Sequence, residues 1–314
     1  MITVVYACDD IYVRQTIISM VSLIQHNSNV KLYLVTAGLS YANQELLTST
    51  IERYGCQIHF IDMEKVLPKI FFDEGDRHPK TVYAKLFFED QITETRVLYL
   101  DSDVVVKGSL EPLFQRNMHR EVVAGVLMPY SKKLKQHINV PAGQPYICDG
   151  IVLFNMELWR NTRKSEACSK YIQQCGGRPP MLSEGTLNYV CQGMIGILDP
   201  TYNLMPSMLM YTLKEIRQLF QADVYYQTKG VLEEARRNPV IVHFMNELYN
   251  RPWFEPCDHP YKSFYKEIEY DIFGNNEFEK KDIQTRTKVT RAFFRFLPFG
   301  LFSVLYHIRY GFKR

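Results

Sequence analysis

The stretch Val97-Leu98-Tyr99-Leu100-Asp101-Ser102-Asp103-Val104-Val105-Val106 constrains the fold of this chain more than any other. Its apolar, β-branched residues suit a strand buried on both faces, as in a parallel sheet covered by helices. Two carboxylates interrupt the run. Ionised aspartates at the end of such a strand need a cation to offset their desolvation. In an extended chain Asp101 and Asp103 point the same way, because side-chain direction repeats every second residue. Two hard oxygen donors on one side suit Mg²⁺ or Mn²⁺ together with a phosphate-bearing ligand. The bland alternative is a solvated strand end. An Asp-x-Asp tripeptide carries little alone, since about one is expected by chance here. Its position directly after Val97-Leu98-Tyr99-Leu100 carries the information.

Around that stretch, strand-like and helix-like patterns alternate. Residues 3–7 read as a buried strand, and 14–25 have helical spacing through Ile17, Ile18, Val21 and Ile24. Residues 30–35 read as the next strand, with Ser40 as cap of a helix through Arg53. A short strand at 57–61, a helix at 81–89 and a strand at 96–100 follow. The order predicts an α/β fold of Rossmann-like type, with a mainly parallel sheet and helices on both faces. Ligands of such sheets bind beyond the carboxyl ends of the strands. Asp9-Asp10 after the first strand and Asp101/Asp103 after the fourth both stand at such ends. Further on, 150–155 reads as a strand followed by a helix, and 176–180 as a loop. Residues 185–190 read as a helical turn, with late strands at 194–198 and 240–244.

Composition narrows the setting. With 314 residues, 46% hydrophobic and 23% charged, the chain has the make-up of a soluble globular protein with a large core. No apolar run is long enough to span a bilayer, and no leader peptide is expected. Seven cysteines without C-x-x-C spacing predict reduced thiols and a cytoplasmic setting, and exclude a zinc or disulfide framework. The net charge of +3 is unevenly spread. From Lys280 onward nine Lys/Arg face one acid, leaving the tail near +8 and the rest near −5. Aromatic residues from Phe293 to Phe302 and Tyr306 accompany those charges. This mixture predicts peripheral contact with the inner face of a membrane rather than nucleic-acid binding. The alternative is a C-terminal helix docked on the core. We expect a domain at 1–260 and a tail at 261–314.

Several stretches, in order, resemble one family. They are Tyr6-Ala7-Cys8-Asp9-Asp10-Ile11-Tyr12, Tyr83-Ala84-Lys85-Leu86, the run 97–106, and 150–155 with Trp159-Arg160. Leu187-Asn188, His243-Phe244 and Arg251-Pro252-Trp253 complete the set. Together they resemble the family 8 retaining glycosyltransferases, which include glycogenin and bacterial lipooligosaccharide galactosyltransferases. The resemblance implies a glycosyltransferase A type fold, a nucleotide-sugar donor such as UDP-glucose or UDP-galactose, and Mn²⁺ or Mg²⁺. It implies Asp101, Asp103 and His243 as metal ligands, although a histidine on an apolar strand otherwise reads as a core residue. It implies that Ala7 and Asp9 hold the uridine, and that Lys85, Ser102 and Arg251 meet the donor phosphates or sugar. Lys85 stands where the family usually has arginine, keeping the charge without the fork. Arg251 follows His243 at a longer spacing than usual.

Two segments depart from the family pattern. Cys148-Asp149-Gly150 replaces an Asn-Ala/Ser-Gly, and Ser183-Glu184-Gly185 replaces an Asp-Gln-Asp. We expect Glu184 and Asp149 to supply the missing acidic contacts at the reacting face. Glu184 then stabilises an oxocarbenium-like transition state, acts as nucleophile, or binds a hydroxyl in a front-face reaction. The acceptor is expected to be a saccharide, lipid-linked or part of a surface glycan. Two rival readings remain: a haloacid-dehalogenase-like phosphatase with Asp101 as nucleophile, and a catalytically silent nucleotide-sugar-binding relative.

Overall fold

The structure is a computed structural model of the chain. It describes all residues except 74–79, 223–224, 226, 246–248, 278, 281–288, 290–291, 294–295 and 311–314.

Seven strands form the central sheet in the order β3-β2-β1-β4-β7-β6-β8. They are β1 (Ile2–Ala7), β2 (Val30–Thr36), β3 (Ile58–Asp62) and β4 (Arg96–Leu100), then β6 (Val123–Leu127), β7 (Ile147–Asn155) and β8 (Ile195–Ile197). β1 pairs in parallel with both β2 and β4, β2 with β3, and β6 with β8. β7 alone runs against its neighbours β4 and β6. The sheet is therefore mainly parallel, as expected, with one reversed strand in its middle. Val4, Val5, Val97, Leu98 and Val152 are fully buried, which explains why these strands read as continuous apolar runs rather than alternating ones.

The run 97–106 does not stay in one strand. β4 ends at Leu100, the chain turns through Asp101–Asp103, and β5 (Val104–Val106) joins a second, two-stranded sheet with β9 (Ile241–His243). Val104 stands opposite His243 in that antiparallel pair. The two aspartates therefore converge through a turn and not through strand alternation. The expected helix at 81–89 is also different: it is a pair of 3₁₀ segments, Lys80–Leu86 and Phe88–Asp90. Tyr83, Ala84, Lys85 and Leu86 are all buried, so the segment passes through the interior and has no solvent-facing stripe. The helix expected from Gly185 begins earlier, at Leu182, and runs to Val190.

The remaining early elements match their sequence signals. Val13–His26 is helical, and Tyr41–Arg53 starts with Ser40 Oγ accepting from Asn43 N at 3.4 Å. Beyond residue 260 the helix Lys262–Phe273 packs on Val13–His26, where buried Glu269 accepts from Arg14 Nε at 2.8 Å and Lys266 Nζ at 2.7 Å. The last helix, Phe299–Tyr310, buries Phe302 and lays Phe299 against Tyr211 with ring centroids 5.9 Å apart. The basic side chains expected from Lys280 onward lie outside the described residues. No helix among the described residues is long and apolar enough to cross a membrane. All seven cysteines are free thiols.

Candidate active site

A cavity of about 1030 Å³ opens at the carboxyl ends of β1 and β4, large enough for a nucleotide-sized ligand. Its lining includes nine of the ten residues singled out from sequence: Ala7, Asp9, Lys85, Asp101, Ser102, Asp103, Asp149, Glu184 and Arg251. The tenth, His243, is buried behind Asp103.

Asp101, Asp103 and His243 each present a ligand atom, all within 4.8 Å of one another. β4 and β9 deliver them from different sheets, and the turn between β4 and β5 brings the carboxylates to the imidazole. His243 Nδ1 lies 3.1 Å from Asn203 Oδ1, so Nδ1 carries the proton and Nε2 faces Asp103 Oδ1 at 3.1 Å. Gly150 makes the cluster possible: a Cβ there would stand 2.6 Å from both Asp101 Oδ2 and His243 Cε1. Two carboxylate oxygens and one imidazole nitrogen, with the ring held by an amide, fit a hard or borderline divalent cation such as Mn²⁺. They do not resemble the thiolate-rich set of a structural zinc site.

Cations flank these carboxylates. Lys85 is 4% exposed, with Nζ 3.2 Å from Asp101 Oδ1, 3.1 Å from Asp149 Oδ2 and 3.0 Å from the Asp149 carbonyl. Burial alone would lower its pKa; the two carboxylates reverse this and raise it well above the ordinary lysine value. Arg251 donates from Nη2 to Asp103 Oδ2 at 2.7 Å, from Nη1 to Tyr12 Oη at 3.0 Å and from Nε to the Phe244 carbonyl at 3.1 Å. Burial works to raise Asp103, but His243 and Arg251 outweigh it and hold the carboxyl well below the usual aspartate range. Asp101 goes the other way: burial raises it against the pull of Lys85. Ser102 faces inward and accepts from Thr16 Oγ1 at 2.8 Å. Asp9 caps the turn that follows β1, accepting from Ile11 N at 3.1 Å. Asp10 instead binds Ser40 N and Asn43 Nδ2, which makes it a brace between segments.

The departing segments meet at the same cavity. Ser183 Oγ donates to Asp149 Oδ2 at 2.6 Å. Glu184 Oε1 accepts from Tyr130 Oη and Tyr146 Oη, each at 3.1 Å. Burial and the nearby Asp149 push the Glu184 carboxyl up to about 8, against the two phenol hydrogen bonds. Met181 and Leu182 precede them in the left-handed region, with φ of 59° and 52°, a strained turn of the kind found where function demands it. Gly185 lets the chain fold back so closely that a Cβ would lie 1.9 Å from the Pro180 carbonyl oxygen.

Sequence reasoning did not find the residues that hold the expected ones. Tyr130, Tyr146, Asn203 and Thr16 lie 54, 38, 40 and 86 positions from their partners. No local pattern connects them. Tyr12 fell within a recognised stretch, but nothing in its spacing pointed to Arg251.

The family model described as glycosyl transferase family 8 matches residues 3–257. The chain belongs to glycosyl transferase family 8. General stress protein A of Bacillus subtilis (strain 168) is 24% identical over 270 residues, covering 83% of this chain and 91% of that protein. Glycosyltransferase GlyE of Streptococcus pneumoniae (serotype 4, TIGR4) is 31% identical over 253 residues, 80% of this chain and 56% of GlyE. Among solved structures, galactosyltransferase LgtC in complex with donor and acceptor sugar analogues superposes with a TM-score of 0.69 at 19% identity, covering 92% of this chain and 99% of LgtC. That likeness establishes the glycosyltransferase A type fold. Family membership makes the chain an enzyme of the hexosyltransferase class. It also displaces the phosphatase reading, which needs the aspartate motif on the first strand instead of after β4.

Proposed function

We propose that this family 8 enzyme transfers a hexose, with retention, from a uridine nucleotide-sugar, UDP-glucose or UDP-galactose, to a saccharide acceptor. The observation that carries the reading is the convergence of Asp101, Asp103 and His243 at a cavity also lined by Lys85 and Arg251. In this reading the three ligands hold Mn²⁺ or Mg²⁺, which supplies charge neutralisation for the departing diphosphate. Arg251 and Lys85 provide the fixed positive field around the same phosphates. Ala7, Asp9 and Ser102 line the nucleotide side.

Asp149 and Glu184 occupy the sugar side. Asp149, oriented by Ser183 and Lys85, accepts sugar hydroxyls and faces the developing positive charge. Burial and Asp149 push the Glu184 carboxyl up to about 8, and with Tyr130 and Tyr146 both donating to its Oε1 this suits a hydroxyl-binding acid better than a nucleophile. This favours the front-face route over double displacement. The last helix exposes Leu301, Val304, Leu305 and Ile308 and carries no acidic residue, which supports a tail that rests on a membrane and an acceptor that is lipid-linked.

A screen of nucleotide-sugars with Mn²⁺, reading release of the nucleoside diphosphate, tests the function. A uridine hexose is expected to be consumed, with product anomers of the donor's configuration. Binding without turnover under every donor returns the silent-relative reading.

A further inference from the structure

The cavity extends past Glu184. Its lining continues through Met181, Pro180, Pro179 and Arg178 and reaches His137, none of which has a role in the reading above. The chain at 71–73 is tied to this rim: Asp73 N donates to the Gly177 carbonyl at 3.1 Å. Gly177 is left-handed, and a Cβ there would lie 2.8 Å from both Asp73 N and Phe71 Cδ1. This close approach sets Phe71, 71% exposed, beside Gly177, the residue that precedes Arg178. A large exposed aromatic ring beside the segment that carries Arg178 offers a platform for the apolar face of a pyranose.

The charges there differ from those deeper in. Lys85 is committed to Asp101 and Asp149, and Arg251 to Asp103. Arg178 meets Asp73 only loosely, Nη1 to Oδ2 at 3.9 Å, with the two side chains 46% and 48% exposed. Solvent screens such a pair, and its guanidinium fork is available to another acceptor. His137, exposed at the end of the helix Lys132–His137, adds a second N–H donor to the same lining.

We infer that Phe71, Arg178 and His137 form an acceptor subsite for an anionic saccharide. The Phe71 ring lies against a pyranose face, and Arg178 with His137 holds a carboxylate or phosphate substituent. This rests on the glycosyl-transfer reading and adds the charge of the acceptor to it.

The test uses the full-length chain, Mn²⁺ and the nucleotide-sugar found in the donor screen. Three acceptors share one ring: a methyl hexoside, its uronic acid and its 6-phosphate. At least one anionic acceptor is expected to exceed the neutral one about tenfold in kcat/KM, equivalent to about 1.4 kcal/mol. Whichever leads identifies the substituent. Arg178→Ala should bring that ratio close to one, mainly through KM, and Arg178→Lys should keep part of it. Asp73→Ala separates recognition from scaffolding: release from the pair should preserve or raise the preference, whereas a structural Arg178 predicts the same collapse in both variants. Equal use of neutral and anionic acceptors, or a ratio unmoved in Arg178→Ala, overturns the subsite while donor consumption leaves the transfer reading intact. Failure to consume any donor brings down both.

Discussion

Ser183 Oγ donates to Asp149 Oδ2 at 2.6 Å, joining the start of the helix Leu182–Val190 to β7. With Lys85 Nζ 3.1 Å from the same oxygen, the Asp149 carboxylate is held from two directions and has little rotamer freedom left. Ser183 thus becomes the orienting partner of an aspartate on β7. Asp149→Asn should lower kcat about 100-fold, the scale of losing one fixed group at a developing charge. Ser183→Ala should cost about tenfold, as for a hydrogen bond to a charged group. Steady-state kinetics decide it: raised donor KM with intact kcat would place Asp149 in ground-state binding instead.

Glu184 gives a pH signature in stability. Its carboxyl, raised to about 8 in the folded chain, binds a proton that the unfolded chain releases near pH 4.5. Between those values the folded state carries more protons, so its stability falls as pH rises. Glu184→Gln keeps the amide-sized group between Tyr130 and Tyr146 without that titration. The variant's stability should gain on the wild type from pH 5 to pH 8.5, by on the order of a few kcal/mol at most, read as a widening difference in melting temperature. A difference that stays constant with pH, or shrinks, contradicts a protonated Glu184.

Much of this fold was legible because buried parallel strands write continuous apolar runs. β1, β2 and β4 could be read for that reason, and Ser40 could be read as a cap. What failed was whatever depends on direction or on the third dimension. A strand's sequence does not say which way it runs, so the reversal of β7 was invisible. Lys80–Leu86 buries four successive residues and leaves no amphipathic period to interpret. Asp101 and Asp103 were found through a strand alternation that the structure replaces with a turn. The family's ordered motifs named residues that the fold gathers at and behind one cavity, but Tyr130, Tyr146 and Asn203 come from distant parts of the chain and left no local trace.

The glycine and asparagine behind the proposed metal ligands offer a test independent of turnover. Gly150→Ala forces a Cβ against Asp101 and His243 at 2.6 Å, so one of them must move. Asn203→Ala removes the acceptor that fixes the imidazole, a change that typically costs 10- to 100-fold in metal affinity. Mn²⁺ titration followed by electron paramagnetic resonance should show about that loss in both variants, with circular dichroism unchanged. Wild-type affinity in Gly150→Ala would remove His243 or Asp101 from the ligand set.

The tail's proposed membrane contact depends on Leu301 and Ile308, which are 51% and 60% exposed. Replacing both with serine should change stability by no more than about 0.5 kcal/mol each, as for exposed sites. Flotation with anionic vesicles should fall several-fold, and more so at high salt. Undiminished flotation places the contact elsewhere.

The central claim is that Asp101, Asp103 and His243 carry the donor diphosphate through a divalent cation, and calorimetric titration of UDP tests it most directly. With Mn²⁺ the wild type should bind UDP, and EDTA or Asp103→Asn should weaken that binding by about 100-fold, roughly 2.7 kcal/mol. Equal UDP affinity with Mn²⁺, with EDTA and in Asp103→Asn would contradict it.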